Sequence, residues 1–209
     1  MQIIHPQLIK SLSLARKHLV GVRDPVGSSV LEHGIRVYSR INLALSSKSS
    51  SSQQEIDILS ASLLHDVLED SKCTEKEILK NVNNVVLDLV KELTITFENK
   101  SIEEAVSSLK HVSSNAYLIK MADISDNTKK AHLFVYTNYP SWYHSFYFPL
   151  LRQYSNISLL QLKRMKKDNY QYLNLAIKLH DEVTYFSKTL KKLVYDWEIL
   201  MNDLPPDLV

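Results

Sequence analysis

"ASLLHDVLED", residues 61–70, sets His65, Asp66, Glu69 and Asp70 among Leu63, Leu64, Val67 and Leu68. Ile56, Leu59, Leu63 and Val67 recur at spacings of three and four, which predicts a helix through the stretch with one apolar face. Four polar residues in a core-facing helix need a reason. An ionised carboxylate removed from water costs on the order of several kcal/mol or more unless it is paired or binds a metal ion.

A divalent cation accounts for His65 and Asp66 together, because first-row cations accept a neutral imidazole nitrogen beside a carboxylate oxygen. Two adjacent residues cannot complete such a site. His33 in "LEHGIRV" and Asp123 in "KMADIS" are the best further candidates, each a polar residue inside an apolar helical pattern. Glu69 lies four residues after His65 and three after Asp66, so on a continuous helix it projects over the same face. A spare carboxylate then stands where metal-assisted hydrolysis needs one to act on water. Taken singly, each element has an ordinary reading. A lone buried histidine is usually a hydrogen-bonded core residue, and "ED" before "SKCTEKE" serves as a solvated loop and cap. The combination carries the chemistry.

The 209 residues suffice for one well-packed domain and are few for two, so residues 1–209 are expected to form a single domain. A hydrophobic content of 44% with a net charge of +2 excludes disordered and nucleic-acid-coating classes. Three glycines argue against Gly-rich phosphate loops, dinucleotide-binding turns and tight hairpins, and leave helices as the economical solution. Cys73 is the only cysteine, which excludes a disulfide framework and a thiolate metal site. No apolar run approaches the roughly 18 residues of a membrane span, and "MQIIHPQLIKSLSLARKHL" does not resemble a signal peptide. A cytoplasmic protein is expected, with neither nucleic acid nor membrane as partner. The basic run "LKRMKKD", 162–168, reads as a solvated helix face. Oligomeric state is not legible, and a homo-oligomer is compatible with the sequence.

Apolar spacing predicts helices over 6–20 and 29–45, and the intervening "GVRDPVGSS" reads as a loop. "SSKSSSSQQ", from 46, reads as a polar linker. Thr74 with Glu77, and Ser101 with Glu104, have capping-box spacing and mark two further helix starts. The first of these is expected to carry Val82, Val85, Val86, Leu89, Val90 and Leu93 as its stripe. The end reads as two helices, about 157–179 and 181–201. Between them and the acidic "NAYLIKMADISDN" lies an aromatic stretch, 134–154, punctuated by Pro140 and Pro149. It is expected to pack in the core or self-associate, or else to form a lid or pocket wall whose Tyr and Trp faces suit a nucleobase. No strand-like alternation is long enough to assign. The fold class is all-α.

The order His33, His65-Asp66, Asp123 resembles the HD-domain metal-dependent phosphohydrolases. The longer string from His65 to Glu69-Asp70 is similar to the RelA/SpoT-homologue hydrolases, in particular the small single-domain alarmone hydrolases. "ARKH" at 15–18, "RDPVG" at 23–27 and "KMADISDN" at 120–127 match that family's further motifs in the same order. The resemblance spans about residues 12–130 and resumes weakly near "KKDNYQYLNLA". It implies that His33, His65, Asp66 and Asp123 hold one divalent ion, usually Mn²⁺, while Glu69 and Asp70 position or deprotonate water. It further implies that Asn127 meets the ribose or phosphate region, that Arg16, Lys17 and Arg23 meet phosphates, and that Tyr170 lines the nucleotide pocket. Arginine, lysine and an uncharged amide suit those tasks. The chain departs from the family pattern at Val30, where an aromatic is usual, at Gly34, where a proline is, and at Asp126, an added acid.

The implied activity is removal of pyrophosphate from the 3′ position of guanosine 3′,5′-bis-pyrophosphate, yielding GDP or GTP. One rival is a related hydrolase of another phosphorylated nucleotide, either a 5′-nucleotidase or an NADPH phosphatase. Family nucleotidases generally lack the Glu-Asp pair. The other rival is a catalytically silent domain that binds a nucleotide or a protein, against which the intact metal and water positions argue.

Overall fold

The computed structural model describes residues 5–203 apart from 26, 46–51, 138, 139 and 169. In chain order the helices are α1 (Pro6–Leu19), α2 (Val30–Leu45), α3 (Gln53–Leu64), α4 (Glu75–Asn81), α5 (Asn84–Leu93), α6 (Ile102–Val106), α7 (Ser114–Ala131), α8 (Pro140–Trp142), α9 (Phe148–Lys167) and α10 (Leu173–Asp203). Short 3₁₀ turns, Ser107–Lys110 and His132–Thr137, flank α7, and a π-helical turn, Tyr143–Tyr147, joins α8 to α9. There is no strand among the described residues, only a bridge between Arg23 and Ser29 that closes the loop after α1. This is the all-α fold expected. None of the described helices is long and apolar enough to cross a membrane.

Two helices buried on every side over most of their length occupy the centre. In α3 every residue from Glu55 to Leu64 is buried, and in α7 every residue from Ala116 to Asp126. Helices α1, α2 and α5 pack on α3, while α2, α5, α9 and α10 pack on α7. The acids inside α3 are all satisfied. Glu55 accepts from the Ser52 N–H at 2.8 Å in a capping box and from the Tyr172 hydroxyl at 3.3 Å. Asp57 Oδ1 accepts from Gln7, Gln53 and Asn83 at 2.7, 3.0 and 2.9 Å.

Gly34 lets α2 approach α3. A Cβ there would meet the Leu63 carbonyl oxygen at 3.3 Å. The glycine therefore sets the interhelical distance beside His33, and a proline or any side chain would widen it. Val30, the other apolar departure, is a buried core residue.

Three helix boundaries differ from expectation. Helix α3 stops at Leu64 instead of running on through Val67. His65 Nδ1 lies 2.9 Å from the Ser62 carbonyl, the acceptor that an unbroken helix offers to the Asp66 N–H, and the chain tightens to a Val67 N–H to Leu64 carbonyl bond. The stripe from Val82 to Leu93 is not part of the helix begun by Thr74: α4 ends at Asn81, and Asn83 caps α5 by accepting the Val86 N–H at 2.8 Å. The last two helices are α9 and α10, broken near 168–172 and not at residue 180. Pro149 sits in the first turn of α9, directly after the π-helical turn. The linker at 46–51 lies outside the described residues, and Ser52 caps α3.

Candidate metal centre

Helices α2 and α7 deliver His33 and Asp123 to one point, and the turn that ends α3 adds His65 and Asp66. His33 Nε2 lies 3.2 Å from His65 Nε2, 3.0 Å from Asp123 Oδ1 and 3.7 Å from Asp66 Oδ2. His65 Nε2 lies 3.2 Å from Asp66 Oδ1 and 3.9 Å from Asp123 Oδ1. His33, His65 and Asp123 are buried, and Asp66 is half-buried.

The hydrogen bonds on the far sides of both rings decide what the near sides offer. The Ser62 carbonyl only accepts, so His65 Nδ1 carries the proton. His33 Nδ1 lies 2.8 Å from Asp126 Oδ2, whose carboxyl is held below the usual range because the His33 bond and Arg36 outweigh its burial. With both rings neutral the Nε2 atoms present lone pairs to each other, an arrangement that calls for a proton or a metal ion between the rings and the carboxylates. Two nitrogens each roughly 2.1 Å from one ion stand about 3.0–3.4 Å apart at octahedral or tetrahedral angles. The observed 3.2 Å fits.

Electrostatics point the same way. Burial opposes a charged His33 ring, yet Asp123, Asp126 and Asp66 outweigh it and lift its pKa to about 9. Burial likewise opposes charge on His65, and Asp66 and Asp123 raise it regardless. Asp123 is held well below the usual carboxylate range despite its burial, by Lys120 and the two histidines. The centre therefore stabilises positive charge at the point where the four side chains meet. His33, His65 and Asp66 can hold a metal ion, and Asp123 lies within reach of the same position.

A cleft of about 380 Å³ opens from this centre. Its polar wall includes Glu69, Asp70, Lys120 and Asn127. Glu69 does not share a helical face with His65, since α3 has ended; its Oε2 is instead fixed by the Ile95 N–H at 3.1 Å. The crowded wall strips water from the Glu69 carboxyl and, with Asp66 and Asp70 nearby, pushes its pKa up to about 7 against the pull of Lys120. Asp70 is shifted upward by desolvation and by Asp66. Asn127 donates to Asp123 Oδ1 at 2.6 Å, and Lys120 Nζ bridges to Asp123 Oδ2 at 2.8 Å.

The opposite wall is the aromatic segment. Phe134, Trp142, Phe146 and Tyr154 line the cleft with Phe97, while Tyr143 and Tyr147 combine lining with burial in the core. Trp142 stacks on Tyr147, ring centroids 5.3 Å apart and planes 18° from parallel. The segment is thus both core and pocket wall.

Four of the residues proposed from sequence are not brought to the cleft. Arg16 is exposed on α1, and Lys17 points to α4, where its ammonium bonds Glu77 at 2.6 Å. Arg23 donates to the Gly27 carbonyl at 3.3 Å and lines an adjoining groove with Arg36 and Lys129, which shares Lys130 and Phe134 with the cleft. The Tyr170 hydroxyl donates to Asn115 at 2.6 Å, and its ring packs edge-on against Tyr172. Helix α1 packs against both α3 and α4, and Lys17 is held at α4. Cations that do line the cleft are Lys120 and Lys130, the latter ion-paired with Asp24. Lys120 had a signal: a lysine inside the apolar run before Asp123, three residues ahead and so on its face. Asp126, three residues after Asp123, offered the same spacing, but nothing local named His33 as its partner.

Fold and donor set together define an all-helical molecule with a His–Asp centre at the foot of an aromatic-walled cleft. One solved structure with this fold is a metazoan ortholog of SpoT, described as hydrolysing ppGpp and playing a role in starvation responses. It is 22% identical, the alignment covers 88% of this chain and 96% of that one, and the TM-score is 0.64. At this identity the likeness is one of fold. No protein-family model and no curated protein matches the sequence.

Proposed function

We propose that residues 1–209 act as a single divalent-metal-dependent hydrolase domain whose substrate is a phosphorylated nucleotide, and specifically as a Mn²⁺-dependent 3′-pyrophosphohydrolase of guanosine 3′,5′-bis-pyrophosphate. The observation that carries the reading is the pair of imidazole Nε2 atoms 3.2 Å apart, each with its Nδ1 already engaged. His33, His65, Asp66 and Asp123 are the proposed ligands. When bound, a divalent ion supplies Lewis-acid polarisation of a phosphoryl oxygen and acidifies water.

The chain's own residues do the rest. Glu69 takes a proton from the attacking water, a role supported by its carboxyl near neutrality and by its Oε2 anchored to the Ile95 N–H. Asp70 orients that water from the same turn. Lys120 and Lys130 meet phosphoryl oxygens, in place of Arg16, Lys17 and Arg23. Asn127 holds Asp123 and offers its amide to the sugar. Trp142 and Phe146 supply flat apolar faces for the base. The fold shared with a protein described as a ppGpp hydrolase supports the choice of substrate.

The deciding experiment measures pyrophosphate release from guanosine 3′,5′-bis-pyrophosphate with Mn²⁺, beside phosphate release from nucleoside monophosphates. Release of pyrophosphate with negligible monophosphate hydrolysis is expected. Equal activity on monophosphates overturns the substrate assignment, and activity that survives a chelator overturns the metal.

A further inference from the structure

Behind the aromatic wall, between α9 and α10, lies a second cavity of about 770 Å³. Ile124, Leu151 and Tyr154 line both spaces and form the partition between them. The second cavity differs from the cleft in charge. Arg152, Lys188 and Lys191 line it, and no Asp or Glu does among the described residues. Among the described residues neither Arg152 nor Lys188 has a carboxylate within ion-pair distance; all three cations are exposed at the mouth, and Lys191 lies over the Phe148 ring, 5.7 Å from its centroid. His144, at the rim, is engaged by Glu198 at 3.4 Å. Deeper in, the fully buried Ser158 hydroxyl bonds His180 Nδ1 at 2.7 Å, which leaves Nε2 as the polar atom available to an occupant.

We propose that this cavity is a second ligand site, distinct from the metal centre, that takes a small diphosphate anion. Like charges gathered at the mouth of one space raise the potential there and concentrate anions. Three cations around one space match an anion of two or three charges. The guanidinium of Arg152 suits phosphoryl oxygens in a planar fork, and the lysines act as point charges. Gln153 and Asn156 add neutral hydrogen-bonding groups at the wall. The volume lies within the roughly 300–1,000 Å³ common for small-molecule sites, larger than diphosphate alone requires. The anion is therefore either free or one end of a nucleotide. Nothing in this argument depends on the substrate proposed for the metal cleft.

Isothermal titration of the full chain with inorganic pyrophosphate tests this, run in a chelator so that no ion bridges the anion to the His–Asp centre. One site is expected. Charge reversal in Lys188→Glu/Lys191→Glu should weaken it by about tenfold or more, since like charges facing an anion repel it. Arg152→Ala should weaken it in the same direction, and Lys130→Ala, in the metal cleft, should leave it within about twofold. A parallel titration with a nucleoside diphosphate separates the sources: equal affinity assigns the site to the diphosphate group alone, and tighter binding assigns the remaining volume to the nucleoside. Binding unchanged by the charge reversal, binding lost in Lys130→Ala, or no binding by either probe at millimolar concentration overturns the proposal.

Discussion

Asp126 Oδ2 lies 2.8 Å from His33 Nδ1, on the side of the ring opposite the cleft, and Arg36 Nε holds the same oxygen at 3.0 Å. The carboxylate fixes the tautomer and the direction of a ring that has its other nitrogen at the centre. Outer partners of this kind typically contribute 10- to 100-fold to metal affinity. Asp126→Asn should therefore weaken Mn²⁺ binding by about 10- to 100-fold while the helices remain folded. Titration calorimetry with Mn²⁺, with circular dichroism as the folding control, checks this.

Glu69 tests the division between ligand and base. In Glu69→Gln, Mn²⁺ affinity should persist while turnover falls by roughly 10²-fold or more, the scale of a lost general base. A base works when deprotonated, and burial has raised this carboxyl to about 7. Wild-type activity should thus climb with pH from about 6 to 8, and that limb should disappear in Glu69→Gln. Loss of metal together with activity would instead make Glu69 a ligand.

Lys120 is buried and paired with Asp123, so its removal leaves negative charge short of compensation. Breaking one side of a buried pair costs about 3–5 kcal/mol. Lys120→Met should lower stability in denaturant titration by a figure of that order, and added Mn²⁺ should recover part of it, because the ion supplies the missing positive charge and binds only the folded state.

At Gly34 the obstacle is the Leu63 backbone carbonyl, which cannot rotate away. Alanine gains about 1 kcal/mol of helix propensity, but overpacking against a fixed neighbour costs about 1–3 kcal/mol. Gly34→Ala should lower the melting temperature and, by moving α2, weaken Mn²⁺ binding as well. A variant more stable than wild type would show that α2 and α3 can separate freely.

Trp142 faces the cleft, and Trp197 is the other tryptophan. In a Trp197→Phe background, nucleotide should change the remaining fluorescence. Trp142→Ala should raise KM more than it lowers kcat if the ring grips the base equally before and during reaction. Unaltered fluorescence at saturating substrate would exclude contact.

The all-α class, the outer limits of α1 and α2, the caps at Thr74 and Ser101 and the residues His33, His65, Asp66 and Asp123 were legible because each announces itself locally. A period of three and four residues, a capping pair, or a polar residue in an apolar run needs only neighbours in the chain. The break after Leu64 was not legible, because it turns on a side-chain ring reaching the Ser62 carbonyl. The partition of cations was decided by packing alone: Lys17 and Arg23 resemble phosphate ligands in sequence, yet α1 and its loop direct them to Glu77 and to an adjoining groove. Asp126 is an extra acid in the sequence, and folding sets it against His33, 93 residues away. Residue type and spacing determine which groups can do chemistry; which of them meet depends on how α2, α3 and α7 cross, and that is a property of the packed core.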